Sequence, residues 1–155
     1  MISTNAERVA RNTSDEANER IRRQTQANVA RFATAGDEAI DQRLAELDRE
    51  WDVERWVETL APSLTLFGLF MGVASGRRGW LVLPVAVQGF FLQHALQGWC
   101  PPVPVLRGLG VRTMSEINEE RMALKALRGD FRDLTTAPEV ESEHQVSAAL
   151  AAVRR

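Results

Sequence analysis

Residues 59–76 read TLAPSLTLFGLFMGVASG and carry no charge over 18 positions. After Arg77 and Arg78, a second run without Asp, Glu, Lys or Arg extends to residue 106 and reads GWLVLPVAVQGFFLQHALQGWCPPVPVL. A helix needs about 20 mainly apolar residues to cross a bilayer. Because the apolar residues form one block, we predict two transmembrane helices over about 57–75 and 80–99. The alternative is a buried helical pair inside a soluble bundle.

Tryptophans mark the ends of these predicted spans. Trp56 precedes the first, Trp80 opens the second and Trp99 closes it. A helix from Trp80 to Trp99 rises about 28 Å, close to the hydrocarbon thickness, and tryptophan prefers the two membrane interfaces. The connector at 75–79, SGRRG, is short enough to make the two helices antiparallel neighbours. We therefore predict an all-α membrane protein built on a two-helix transmembrane hairpin, with a long N-terminal amphipathic helix and C-terminal helices.

Polar segments flank this hairpin and define three predicted regions. Residues 1–55 form a polar, amphipathic helical arm, 56–106 the hairpin, and 107–155 a polar helical region that starts at a capping box, Thr113 to Glu116. The N-terminal arm has a narrow apolar seam, which could pair with another copy, pack on the C-terminal helices or lie on lipid headgroups. The seam comprises Ile21, Val29, Phe32, Ile40, Leu44, Leu47 and Trp51.

Charge and topology signals give the expected location. The formal net charge is −2 and the sequence shows no dominant basic face, so no nucleic-acid partner is expected. The first 30 residues have no apolar core, so we expect an uncleaved first span. Basic residues outside both spans favour cytoplasmic termini in a bacterial inner membrane, although Arg77 and Arg78 oppose this. These basic residues are Arg43, Arg49, Arg55, Arg107, Arg112, Arg121 and Lys125.

Small residues predict how the two spans pack. On the first span, Thr65, Gly68, Gly72 and Gly76 recur every three to four residues and contain a GxxxG motif, which lets backbones approach closely. On the second, Ala86 and Gly89 begin a matching stripe.

Polar residues continue that second stripe. Gln93 and Gln97 are interpreted as hydrogen-bonding between helices or copies, or alternatively as lining a narrow polar path or small anion site. His94 lies about 100° off the stripe, which favours a helix–helix contact over a ligand role.

The second run ends in a cysteine followed by three prolines, at 101, 102 and 104. We expect these prolines to end the helix at Cys100 and to leave the chain extended at the interface. Cys100 is a candidate functional thiol, but a structural role is favoured because a helix C-terminus disfavours thiolate. The spans contain no catalytic pair and no set of metal ligands, so no enzyme activity, metal or cofactor is expected.

The exit segment carries a resemblance. Gly98-Trp99-Cys100-Pro101, followed by Leu106, Leu109-Gly110 and Thr113, resembles the YgaP-like transmembrane domain, over about residues 56–113. That family includes small bacterial membrane proteins and fusions to cytoplasmic rhodanese domains. The resemblance implies an inner-membrane location, cytoplasmic termini, dimerisation through the hairpin and a link to sulfur metabolism. The chain lacks a rhodanese domain, so sulfurtransferase activity does not carry over.

Three functions compete at this point. The favoured one is a homo-oligomeric membrane scaffold or adaptor, surrounded by lipid, whose helical arms bind a cytoplasmic protein. The second is a small anion transporter or channel built around Gln93 and Gln97. The third is a membrane-bound thiol carrier that holds a persulfide on Cys100.

Overall fold

A computed structural model describes residues 7–132 and 142–154, and throughout these ranges the regular structure is helical, without strands. The all-helical prediction is confirmed, but three separate helices occupy the described part of the N-terminal arm, where one long helix was predicted. A 3₁₀ turn, Arg78–Leu81, precedes the fifth helix. The helices are α1 (Arg8–Arg11), α2 (Asp15–Phe32), α3 (Asp37–Leu47), α4 (Val53–Ser75), α5 (Val82–Gln97), α6 (Pro102–Gly108), α7 (Met114–Arg128) and α8 (Ser142–Arg154).

The two apolar runs become α4 and α5. The Asp52 carboxylate caps α4 by accepting a hydrogen bond from the backbone N–H of Arg55 at 2.8 Å, so this helix begins before the uncharged run. At the other end of the run, Gly98 ends α5 in the left-handed region, with φ 79°. The helix therefore ends at Gln97, before the prolines are reached.

The segment after Cys100 is a short helix, so the prediction of an extended chain is wrong. Pro101 and Pro102 stand at the start of α6. Proline is well tolerated there, because the first N–H groups of a helix have no partner within it and the fixed φ suits a helix start. The three prolines begin a new helix, and Cys100 lies immediately before it.

Contacts divide the chain into two compact units. The first contains the described residues up to Gln24 together with Trp51–Ile117. Its apolar core, at one end of α4 and α5, draws residues from α1, α4 and α6, and the Val53 N–H donates to the Arg112 carbonyl at 3.0 Å. The core consists of Val9, Val53, Val57, Cys100, Val103 and Leu106, with Phe91 and Val111 against it.

The second unit contains Thr25–Glu50 and the described residues from Asn118 onward. Here Ile40, Leu44 and Leu47 of the predicted seam are buried, as is Leu124 of α7. Ion pairs join α3 to α7, with Arg43 donating to Glu120 at 2.7 Å. Ion pairs therefore hold α3 beside a C-terminal helix of the same chain, which favours that alternative for the α3 part of the seam.

Candidate functional site

The surface of α4 and α5 is the most unusual feature of the first unit. Val53–Ser75 and Arg78–Gln97 are long and apolar enough to cross a membrane, yet only 17% and 11% of their most apolar 18-residue windows are buried. A core helix of a soluble protein is mostly buried. Large apolar side chains point outward instead, including Phe70 at 68% and Val73 at 85% exposure. Others of this kind are Leu66, Phe67, Val82, Val85, Leu92 and Leu96.

Small residues of α4 contact α5 where the two helices meet. Gly68 is buried, and a Cβ placed on it would lie 2.6 Å from Cδ of Pro84. At Gly72 the nearest atoms to such a Cβ belong to Trp80 and Leu81, at 3.6 Å. Any larger side chain at position 68 would therefore push the helices apart.

A polar contact continues this line along α4. The Thr65 hydroxyl accepts a hydrogen bond from Gln88 at 2.9 Å and donates to the Ala61 carbonyl. Gly76 follows the last residue of α4, and among the described residues no atom lies within 4 Å of a Cβ placed on it. Three of the four predicted residues of this stripe thus meet α5 or the turn before it.

The predicted stripe on α5 points away from α4. Ala86, Gly89 and Gln97 are exposed, Gln93 is half-buried, and no described atom lies within 4 Å of a Cβ placed on Gly89. At about 100° per residue these four share one face, while Pro84 and Gln88 occupy the opposite one. The expectation that this stripe matches the one on α4 within a single chain is therefore wrong, because Pro84 and Gln88 supply that contact.

The helix α1 covers the C-terminal end of α5. Arg8 donates to the Ala95 carbonyl at 3.5 Å, and Asn12 donates to the Gln97 carbonyl at 2.8 Å. A Cβ on Gly98 would lie 2.5 Å from the Arg8 backbone, so glycine is required there for both its φ and its size. Terminal carbonyls of a helix have no intrahelical partner, and these two side chains supply one.

His94 is buried at this end of α5, and neither of its ring nitrogens has a hydrogen-bond partner among the residues that the structure describes. In the same part of the chain, Arg8 Nε and Glu54 Oε2 are also buried without partners, while Arg8 and Glu54 face each other at 3.9 Å. Within residues 7–132 and 142–154, no group of three His, Cys, Asp or Glu side chains is placed to hold a metal ion. His94 lies inside the protein, at a helix contact.

Cys100 is almost completely buried in the apolar core of the first unit. Burial raises the pKa of its thiol, which opposes the thiolate that a nucleophile or persulfide carrier needs. Beside it lies an apolar groove of about 190 Å³, bounded by α4, α5 and the start of α6. The groove is lined by Val57, Leu60, Ala61, Leu64, Val87, Phe90, Phe91, Cys100, Pro101 and Pro102.

Arg107 is a fully buried arginine that the sequence reasoning used only as a topology marker. Its guanidinium forms a two-pronged pair with Glu116, at 2.6 and 2.7 Å. The remaining donors bond Thr13 at 3.2 Å, Asn18 at 2.9 Å and the Val111 carbonyl at 3.0 Å. All five N–H donors of a guanidinium are thereby used.

Glu116 also closes the predicted capping box of α7. Its carboxylate accepts from the Thr113 N–H at 2.8 Å, and its own N–H donates to the Thr113 hydroxyl. Burial by itself raises the pKa of Glu116, but the hydrogen bonds from Arg107 and Thr113 outweigh it and hold that pKa below its ordinary value. The capping box was readable from sequence, whereas the buried pair with Arg107 gave no local signal.

Comparison of the chain with models of known families, with curated proteins and with solved structures gives no match in any of the three.

Proposed function

We propose that this chain is a two-span protein of the bacterial inner membrane, in which α4 and α5 form an antiparallel transmembrane hairpin. The observation that carries the proposal is the exposed apolar surface of the two helices, from Phe67 and Phe70 on α4 to Val85 and Leu92 on α5. Soluble monomers rarely expose apolar patches larger than a few hundred Å². Lipid tails are the solvent that such a surface requires, and helices satisfy their own backbone groups within it.

Both ends of the hairpin emerge on one side in this proposal, and we assign that side to the cytoplasm. Arg49 and Arg55 precede α4 or lie in its first turn, and Arg112 follows α6, whereas Arg77 and Arg78 occupy the opposite connector. The larger number of basic residues near the termini decides the orientation under the positive-inside rule. The helical arms then lie in the cytoplasm, where they offer surfaces to a protein partner.

The outward stripe of α5 supports self-association. Gln88 has an intrachain partner in Thr65, but within the described part of the chain the side chains of Gln93 and Gln97 form no hydrogen bond. An amide that faces hydrocarbon needs a partner, and small neighbours such as Gly89 and Ala86 allow a second helix to approach. Because an amide both donates and accepts, the same stripe on a second copy is complementary to it. We propose a homo-oligomeric scaffold or adaptor.

The proposal keeps the expectation of a non-enzymatic role without a cofactor. The thiol-carrier alternative is disfavoured by the burial of Cys100. The anion-transporter alternative keeps one supporting feature, the two amides of the outward stripe, but several copies would have to enclose any polar path. Membership of the YgaP-like family, and the link to sulfur metabolism that it implies, are proposed on the exit motif alone. Gly98 and Cys100 of that motif occupy tightly packed positions.

Association in lipid nanodiscs tests this proposal. We expect Gln93→Leu combined with Gln97→Leu to weaken self-association by about 0.6–2 kcal/mol per lost interhelical hydrogen bond. Gln88→Leu is the matched control, because its amide faces α4 and its loss should leave association between copies unchanged. Energy transfer between labelled chains measures both variants. Unchanged association in the double variant would contradict the scaffold, and loss of anion flux in vesicles with intact association would favour the transporter.

A further inference from the structure

The short helix α6 buries Val103 and Leu106 in the apolar core, but the rest of its pattern is unusual for a helix in water. Its one charged residue, Arg107, has a fully buried side chain. Its exposed residues are uncharged, and Val105 and the adjoining Leu109, four positions apart, are 63% and 77% exposed. A helix on a soluble protein turns its apolar side chains inward and its charges outward. An outer face with apolar side chains and no charge of its own indicates that the medium against Val105 and Leu109 is apolar.

The charge of Arg107 is neutralised inside the protein. Glu116 balances it, and Thr13, Asn18 and the Val111 carbonyl take up the remaining donors. The arginine side chain therefore presents no N–H to the surroundings. Among the side chains of α6 itself, this arrangement shields the one that would require water.

The backbone ends of α6 are satisfied in the same way. Three prolines at its start lack an N–H, and the Val103 N–H donates to the Cys100 carbonyl at 3.0 Å. At the other end, Arg20 donates to the carbonyls of Arg107 and Gly108, at 3.3 and 3.0 Å. In water such groups can bond to the solvent, whereas in lipid each group without a partner is costly.

The outer face of α6 also continues the apolar surface of α4 and α5. Pro101 and Pro102 line the same groove as Leu64 and Phe90. The Trp99 ring, at the junction of α5 and α6, lies 6.3 Å from that of Phe90, and tryptophan favours the membrane interface. Among the described residues, no charged side chain lines this groove.

We propose that α6 is a third membrane-bound element, which lies in the interface with Val105 and Leu109 among lipid acyl chains. The partner is the bilayer itself, and the inference rests on the proposed membrane location of α4 and α5. It goes beyond two spans, because α6 is too short to be recognised as membrane-embedded by length. The proposed location also accounts for the buried Arg107–Glu116 pair, since the pair allows a basic residue to enter the interface without an exposed charge.

Spin labels on the full-length protein in phospholipid vesicles test this inference. The single variants Val105→Cys and Leu109→Cys are labelled in a Cys100→Ala background. Two further variants in the same background serve as references. Phe70→Cys reports a position inside a span, and Gln42→Cys reports water, since Gln42 is exposed on α3. Collisions with oxygen report lipid and collisions with a water-soluble nickel chelate report water. If Cys100→Ala fails to fold, the same sites are labelled with the buried Cys100 retained, and the wild type serves as the blank.

We expect labels at 105 and 109 to lie between those at 42 and 70, with chelate collisions several-fold fewer than at 42. The inference about α6 would be overturned if labels at 105 and 109 met the chelate as often as the label at 42 while the label at 70 remained in lipid. That result would leave the proposed two-span membrane protein intact. Water exposure at 70 as well would overturn both. The inference about α6 would also be overturned if the label at 105 showed spin–spin broadening that disappears on dilution with unlabelled chain. A second copy of the chain, and not lipid, would then cover α6.

Discussion

The α4–α5 pair and the second compact unit are both built of packed helices, but they distribute their residues in opposite ways. In the second unit, Ile40, Leu44 and Leu124 are buried, while Asp41 and Asp48 lie in ion pairs at the surface. In the α4–α5 pair, Gly68 and Pro84 are inside, and aromatic and branched side chains are outside. The first arrangement is typical of helices in water, and the second is expected of helices in lipid.

The contrast shows that the outer face of a helix identifies its environment better than its buried contacts do. Both regions are helical and both bury small or apolar residues at their contacts. What separates them is the outer face, which carries charges in α3 and α7 and none between Thr59 and Gly76. A substitution on the outer face should therefore have a different cost in each region.

The largest effect is expected where a charge is buried beside the proposed membrane surface. Glu116→Ala leaves Arg107 buried without its counter-charge, which costs about 3–5 kcal/mol of unfolding free energy. Glu119→Ala is the matched control, because Glu119 is exposed on the same helix and its loss should change stability by less than about 0.5 kcal/mol. Thermal or denaturant unfolding in detergent measures both. Equal stability of the two variants would contradict the account of Arg107.

The same pair predicts a pH dependence. Because the pKa of Glu116 is lowered in the folded protein, its contribution is complete above the unfolded value of about 4.3 and is lost as pH falls through the folded pKa. Stability should therefore drop in acid in the wild type, and that part of the drop should be absent in Glu116→Ala. An identical acid profile in both proteins would show that Glu116 is not the group responsible.

A second comparison places the same charge on the two outer faces. Phe70→Arg puts an arginine in the last third of α4, where insertion into a membrane should become less favourable by up to about 2.5–3.5 kcal/mol. Leu127→Arg makes the same change at an exposed site of α7 and should shift stability by only about 0.5 kcal/mol. The membrane-inserted fraction after expression measures this difference. Equal behaviour of the two variants would remove the distinction between the regions.

Cys100 should react slowly with iodoacetamide. The thiol is buried and its pKa is raised, so little thiolate is present near pH 8. We expect its rate to be at least about tenfold below that of a Gln42→Cys thiol in a Cys100→Ala background, by mass spectrometry, since alkylation needs the thiolate and access to it. Because the pKa of Cys100 is raised in the folded protein, its contribution to the free energy of unfolding is complete at pH values below the pKa of the unfolded state. That contribution declines as pH rises through the pKa of the folded state. Fast alkylation would revive the thiol-carrier hypothesis.

The smallest effect is expected at His94. Its two ring nitrogens have no partner among the described residues, so His94→Leu removes buried polar atoms without breaking a hydrogen bond there. The change in unfolding free energy should be within about 1 kcal/mol, and of either sign. Denaturant unfolding of His94→Leu is compared with that of Gln88→Leu, which does lose a hydrogen bond. A loss well above that of Gln88→Leu would mean that His94 has a partner in the working protein.

Local patterns allowed the sequence to predict much of this fold. The uncharged runs predicted α4 and α5, and Thr113 with Glu116 predicted the start of α7. Both signals are contained within a continuous stretch of chain. The face of α5 that meets α4 was predicted wrongly, because Pro84 fills the space beside Gly68 and no rule of spacing shows which of two faces turns inward.

Long-range contacts account for most of what the sequence did not reveal. Arg107 meets Thr13 and Asn18, which precede it by 94 and 89 positions. Arg8 reaches the end of α5 across 87 positions. The helix α6 was missed for a local reason, since prolines were interpreted as ending one helix and not as beginning the next.

Extraction of membranes at alkaline pH decides whether lipid surrounds α4 and α5. Membranes from cells that express the full-length chain are washed with sodium carbonate at strongly alkaline pH and sedimented, and the chain is followed by immunoblotting. A protein held by two spans stays in the membrane pellet and enters solution only with detergent, which is the result expected here. Release into the carbonate supernatant, as a monodisperse species without detergent, would contradict the claim that lipid surrounds α4 and α5.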